Sequence, residues 1–414
     1  MPTRELIPHL FRTEFSKIVS VLCKTFGLSN IQLAEDLVSE TFLKASETWG
    51  MKGVPDNPTA WLYTVAKNKA RDTFKREKIF REKIKPELSH GSPVSEAIEI
   101  DLSDSNIQDS QLKMMFAICN PVISSEAQIA LALRILCGFG VTEIAGAFLS
   151  NPETINKRLY RAKEKIRQHQ VDLVMPGSSH LKNRLQNVLL VLYLLFNEGY
   201  YSVSSEKRLR KELCLEAMRL NYMLLNSKLT NLPQTNALMA LFCFHASRFE
   251  ARMDEKGAQI VYADQDESIW DKNLVKKGVL FLSRSRNGDE ITKYHLEAII
   301  AYWHTRSQMD PKEKWENILR IYNRLLQIEY SPMAALNRTY ALARARSKEE
   351  AIKEALKIDL KQNHLYHLLL AELYSGTDSD KQREHLQKAT ALKTTKSERE
   401  WILKKLEDIP EEYS

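Results

Sequence analysis

Apolar residues recur at helical spacing along nearly all of the 414 residues, and this feature restricts the chain to packed helices. Period-two alternation, which a half-buried strand needs, is rare. Glycine and proline number only 13 each, too few to punctuate a β-rich chain of this length. The predicted fold class is therefore all-α. Such a length exceeds one compact helical domain and implies two to four units.

The periodicity predicts helices over 12–26, 31–49 and 58–78. Ser29 or Asn30 suits the cap of the second. Asn57-Pro58 suits the start of the third, because proline's missing N–H and fixed φ fit the first helical position. Residues 85–109 change character: Pro86, the 89–93 stretch and the acids Glu96, Glu99, Asp101, Asp104 and Asp109 predict a flexible acidic linker. Helical spacing resumes at Leu112 and runs to about Gln170, before a break over 175–179. Farther on, helices at 314–328, 332–345, 348–358, 365–374 and 380–392 alternate with short turns. Trp315, Tyr322, Ala335, Tyr340 and Ala351 recur there as in tetratricopeptide-like repeats, a pattern that lone helical hairpins give as well. The expected division is 1–84, an acidic linker over 85–110, 111–172, and a helical extension over 173–414.

Composition removes several function classes. Cys23, Cys119, Cys137, Cys214 and Cys243 are scattered without a C-x-x-C pair, which argues against a disulfide framework and a structural zinc site. No metal or cofactor is expected. The longest apolar run, 188–196, is far short of the ~20 residues a membrane span needs, and the charged first ten residues do not resemble a signal peptide. The expected location is the cytoplasm, with no membrane partner. A net charge of +7 fits either ordinary solvated charge or a basic surface for phosphates. H-E-x-x-H, G-x-S-x-G and P-loop spacings are lacking, so an enzyme is not expected.

Three stretches carry a chemical signal. In 141–168, a short helix (Thr142–Phe148) precedes a turn at 149–151 and a second helix from Pro152. Ile144, Ala145, Phe148, Ile155, Leu159 and Ile166 fall where two crossing helices would pack. The opposite face carries Asn156, Lys157, Arg158, Tyr160, Arg161, Lys163 and Lys165, as a major-groove reader with a basic flank requires. The second stretch, AEDLVSETFLKA at 34–45, reads on physical grounds alone as a solvated acidic face. The third, 56–76, interleaves Trp61, Tyr63 and Phe74 with Lys and Arg. That mixture suits unstacked DNA, and a tryptophan buried in a helical core fits it as well.

Taken together these segments resemble the sigma-70 family of RNA polymerase sigma factors. AEDLVSETFLKA resembles the helix that docks on the β′ coiled coil, NPTAWLYTVAKNKARD the helix that melts and reads the −10 element, and VTEIAGAFLSNPETINKRLYRAKEKIR the −35 helix-turn-helix. GVPDNPTAWL, LLFNEGY, DQDESIW, YHLEAIIAYWH and SPMAALNRTYALA resemble the extracytoplasmic-function (ECF) subgroup with a long tetratricopeptide-like extension. The resemblance implies core RNA polymerase (β′ and β subunits) and promoter DNA as partners. It implies core docking through Asp36, Glu40 and Phe42, and −10 contacts from Trp61, Asn68, Arg71 and Asp72. It also implies −35 contacts from Thr154, Asn156, Lys157, Arg158, Tyr160, Arg161, Lys163 and Lys165.

Two departures stand out. The turn position often held by glycine is Leu149, where a positive φ would be unfavourable, and a position usually held by histidine is Asn120. In the extension, Glu198, Asp264, Asp266, Trp270, His295, Trp303, His304 and Asn337 suit either a ligand or protein groove or buried bonds holding helices in register. A stand-alone helix-turn-helix regulator with a helical sensor domain is the competing reading.

Overall fold

The computed structural model of the protein describes residues 3–84, 100–148, 150–201, 207–252, 260, 265–288, 290–306, 309–392 and 396–409. Every regular element among them is helical, and they fall into two compact units, residues 1–223 and 224–414.

The first unit begins with α1 (Thr3–Phe26), α2 (Ile31–Lys52) and α3 (Pro58–Ile84). Gly27, at φ +85, ends α1, and its carbonyl accepts the Asn30 N–H at 3.1 Å. That left-handed turn is open to glycine at little cost. Asn57 Oδ1 accepts the Ala60 N–H at 3.0 Å, which starts α3 with Pro58 in its first turn as expected. Phe15, Ile18, Leu22, Val38, Leu62 and Ala66 are all fully buried.

Helix α4 (Asp104–Ile118) starts eight residues before the expected resumption at Leu112. Its acids are structural rather than tethering. Asp101 accepts the Ser103 N–H at 2.9 Å, Asp104 lies in the first turn, where negative charge meets the helix dipole, and Asp109 pairs with Lys24 at 2.8 Å and Lys113 at 2.7 Å. Pro86, Glu96, Glu99 and the rest of 85–99 lie outside the described residues, as does Asp264. Next come α5 (Ser125–Leu131), a π-helical turn (Ala132–Leu136), α6 (Val141–Ala147) and α7 (Pro152–Gln168).

Helices α8 (Ser178–Tyr201) and α9 (Lys207–Asn226) also contribute to this unit, so its edge at 223/224 does not coincide with the break expected at 173. The 188–196 run, too short to span a membrane, lies within α8, where Val188, Leu189, Val191, Leu192, Leu195 and Phe196 are buried. Arg184 of this helix donates to the Phe116 carbonyl, and Asn187 donates to the Cys119 carbonyl and, at 3.1 Å, to Gln128 Oε1. In α9, Arg219 donates to the Leu136 carbonyl at 2.7 Å.

The second unit contains α10 (Pro233–Ala246), α11 (Lys272–Arg284), α12 (Lys293–His304), α13 (Pro311–Ile328), α14 (Pro332–Ala345), α15 (Lys348–Ala355), α16 (His364–Tyr374), α17 (Ser379–Ala391) and α18 (Lys396–Glu407). Helix α10 is buried on almost every face, and α11 crosses it where Gly278 leaves no room for a side chain: a Cβ there would lie 2.6 Å from the Phe244 ring. Asp310, Ser331, Ser347, Asn363 and Asp378 each cap the following helix with a side-chain oxygen. These caps explain why the sequence placed α13–α17 to within a few residues.

Burial lowers the pKa of five histidines in this unit. It lowers His245 well below the usual range, His304 to about 3, and His295, His367 and His385 by lesser amounts. A folded pKa below the unfolded ~6.5 gives stability that is complete above that value and lost as pH falls through it, because the unfolded chain binds the extra protons. The thermal midpoint of the second unit is therefore expected to fall steadily from pH 6.5 to 5, above the range where carboxylates titrate. An unchanged midpoint over that window, followed by calorimetry, would show that these histidines are not buried neutral.

Candidate nucleic-acid interface

Helix α7 is built to expose one face. Asn151 Oδ1 accepts the Thr154 N–H at 2.8 Å, Pro152 occupies the first turn, and Ile155, Leu159, Ala162 and Ile166 are buried at i, i+4, i+7 and i+11. Thr154, Asn156, Lys157, Tyr160, Arg161 and Lys165 are all exposed, Tyr160 at 70%. Lys157 pairs with Glu153 one turn earlier, at 2.7 Å, an exposed pair that water readily replaces. Leu149, in the turn before this helix, lies outside the described residues.

Two of the residues expected on this face are elsewhere. Lys163 turns onto α2, where its ammonium pairs with Glu35 and reaches Gln32 Oε1 at 2.8 Å. Its side chain is only 15% exposed, so it is committed to the fold and leaves the set of phosphate ligands. Arg158 sits on the other flank, half-buried, its guanidinium 5.1 Å from the centre of the Phe148 ring.

Helix α3 presents a second stripe. Asn68, Arg71 and Asp72 are exposed and adjacent, at i, i+3 and i+4, and Lys75 continues the line. Trp61, two turns before Asn68, is half-buried with its ring edge-to-face against Trp49 at 5.3 Å. Trp61 thus belongs partly to the core and lies at the head of that exposed polar stripe. Tyr63 points the other way and donates to Glu14 Oε2 at 2.7 Å; burial and that carboxylate raise its pKa far above the usual phenol value.

On α2, Asp36 and Glu40 are exposed, the latter paired with Lys69 of α3 at 2.6 Å. Phe42 is not on that face: it is 5% exposed and meets Phe11 at 5.0 Å in the core. The exposed apolar residue is its neighbour Leu43, at 60%, which continues the Asp36–Glu40 stripe at i+7. The i, i+4, i+7 spacing from Asp36 carried that signal in the sequence. Glu35, Arg134 and Arg12 left no such trace, because their partners lie 99 to 131 residues away.

Among the described residues no group of three or more His, Cys, Asp or Glu side chains is placed to hold a metal. All five cysteines are free and buried. No helix among these residues is long and apolar enough to cross a membrane.

Comparison with known proteins agrees with this geometry. Residues 10–79, covering most of α1 to α3, match sigma-70 region 2, and residues 184–286 match a family of unknown function, DUF6596. An uncharacterized protein of Rhizobium meliloti (strain 1021) is 30% identical over 390 residues, covering 92% of this chain and 91% of that protein. No solved structure matches the chain. The stripes on α2 and α3 both lie inside the region 2 match, and the chain, which shares one family with the Rhizobium protein over nearly its full length, is a member of the sigma-70 family.

Proposed function

We propose that this protein is a sigma factor of the ECF type, which brings core RNA polymerase to promoters and opens them. The observation that carries this reading is the region 2 match coinciding with two exposed stripes, one acidic and apolar on α2 and one polar and basic on α3. Asp36, Glu40 and Leu43 form the docking surface for the β′ subunit. Asn68, Arg71 and Asp72, with Trp61 at their head, receive a −10 base flipped from the stack, at an unstacking cost of a few kcal/mol. Helices α6 and α7 act as a helix-turn-helix on the −35 element: Thr154, Asn156 and Tyr160 near the groove, Lys157, Arg161 and Lys165 on phosphates. The hairpins of the second unit are a tetratricopeptide-like extension that regulates this activity.

Promoter-specific transcription with purified core polymerase tests the reading. Leu43→Ala is expected to weaken core binding severalfold with an unchanged thermal midpoint, because the side chain is mostly in water. Phe42→Ala is expected to cost about 3–5 kcal/mol of stability, as removal of a buried aromatic does. Tight sequence-specific DNA binding without polymerase, and no initiation with it, would instead establish a stand-alone regulator.

A further inference from the structure

Helix α7 ends in an unusual turn beside a cavity of about 290 Å³. Gln170, just past its last turn, sits at φ +48, a left-handed backbone uncommon outside glycine. The Gln170 N–H donates to the Arg167 carbonyl and the Val171 N–H to the Ile166 carbonyl, both at 3.1 Å. The chain leaving that turn forms one wall of the cavity. The loop after α4 and the first turns of α8 supply the others, through Asn120 and Arg184.

Arg184 gives the cavity its charge. Its Nη2 donates to the Phe116 carbonyl, whereas its Nε is buried and makes no hydrogen bond among the described residues. No carboxylate among those residues pairs with it, and burial lowers its pKa, as expected of a guanidinium partly stripped of water. A buried charged donor without an acceptor is costly, and a bound anion removes that cost. Asn120, 8% exposed, adds a second donor. Its Oδ1 accepts the Val122 N–H at 3.1 Å, which fixes the amide and leaves Nδ2 to donate elsewhere.

The remaining walls limit which anion fits. Val122, Val171 and Pro176 are apolar, and Asp172 on the exposed rim repels a second negative charge. The volume equals about ten waters at ~30 Å³ each, which suits a ligand of roughly that many heavy atoms.

We propose that this cavity binds a small monocarboxylate with an apolar body, its carboxylate on Arg184 Nε and Asn120 Nδ2, and that the bound ligand braces the end of α7 against α8. The guanidinium supplies a charge-assisted hydrogen bond. The valine and proline surfaces take the apolar body out of water. Phosphate and dicarboxylates bind worse, because one cation faces them and Asp172 opposes the second charge. Binding is read on the protein alone, so the outcome with core polymerase decides the sigma-factor reading and leaves this one untouched.

Benzoate and isovalerate serve as probes. Each is titrated into the full-length protein by calorimetry at constant ionic strength, to about 30 mM, with hydrogen exchange by mass spectrometry locating the ligand. Both are expected to bind saturably and to slow exchange across residues 166–178. Asn120→Asp keeps an oxygen for the Val122 N–H and sets a negative charge beside the ligand's carboxylate. Arg184→Met removes the cation. Each variant is expected to weaken both probes about tenfold or more. Arg184→Met also loses the Phe116 bond, so Asn120→Asp decides alone if that variant does not fold. Neither probe binding the native protein would leave the cavity to water and overturn the proposal. So would undiminished binding by Asn120→Asp, slowed exchange confined to other segments, or tighter binding of phosphate or succinate.

Discussion

Truncation after residue 179 is expected to leave a front unit that no longer folds cooperatively, whereas truncation after Asn226 is expected to leave it folded. Helix α8 accounts for the difference. Leu185, Val188, Leu189, Val191, Leu192 and Leu195 are fully buried, and burial of each such side chain contributes about 1.5–3 kcal/mol. Their sum, roughly 9–18 kcal/mol, matches or exceeds the ~5–15 kcal/mol that holds a typical domain together. The shorter chain also loses Arg184 and Asn187, leaving the Phe116 and Cys119 carbonyls and the Gln128 amide without those donors. Circular dichroism melts of the two fragments check this. A cooperative transition in 1–179 at the midpoint of 1–226 would show that α8 is an appendage. Transcription assays that remove the extension at 180 would otherwise register unfolding as lost regulation.

The sequence was most legible where helix signals are local. The start of α3 at Pro58 and of α7 at Pro152, and the bounds of α13 to α17, all rest on caps within three residues of the helix they begin. Helix α4 was read too short because its first turns are acidic and polar. Their partner, Lys24, is 85 residues away from Asp109. Similarly, the resemblance points to Phe42, whereas the spacing from Asp36 points to Leu43, and the contact of Phe42 with Phe11 shows that Phe42 is the buried one. On α7, Asn156, Lys157, Tyr160, Arg161 and Lys165 of the seven polar residues are exposed. Lys163 left that face because Glu35, a buried acid with no sequence signal of its own, required cations. The exposed stripes were thus readable from helical spacing, while their edges were set by charge pairs across long stretches of chain.

Lys163 and its neighbours on α7 allow that distinction to be measured. Alanine at Lys157, Arg161 and Lys165 together is expected to weaken holoenzyme binding to promoter DNA and to flatten its salt dependence. Each phosphate contact releases condensed counterions and adds about 0.9 to the slope of log K against log salt, so three lost contacts remove about 2.7. All three side chains are exposed, so the melting temperature is expected to stay within a degree or two. Lys163→Ala is expected to do the reverse. Glu35 would keep Arg134 at 2.9 Å and lose its second cation, a partly uncompensated buried acid costing about 1–3 kcal/mol, with no change in the salt slope. Filter-binding titrations from 50 to 300 mM salt, paired with melts of the same proteins, separate the two outcomes. A reduced slope in Lys163→Ala, with stability intact, would return that lysine to the DNA-facing surface and remove the ion pair from any account of how this helix is held.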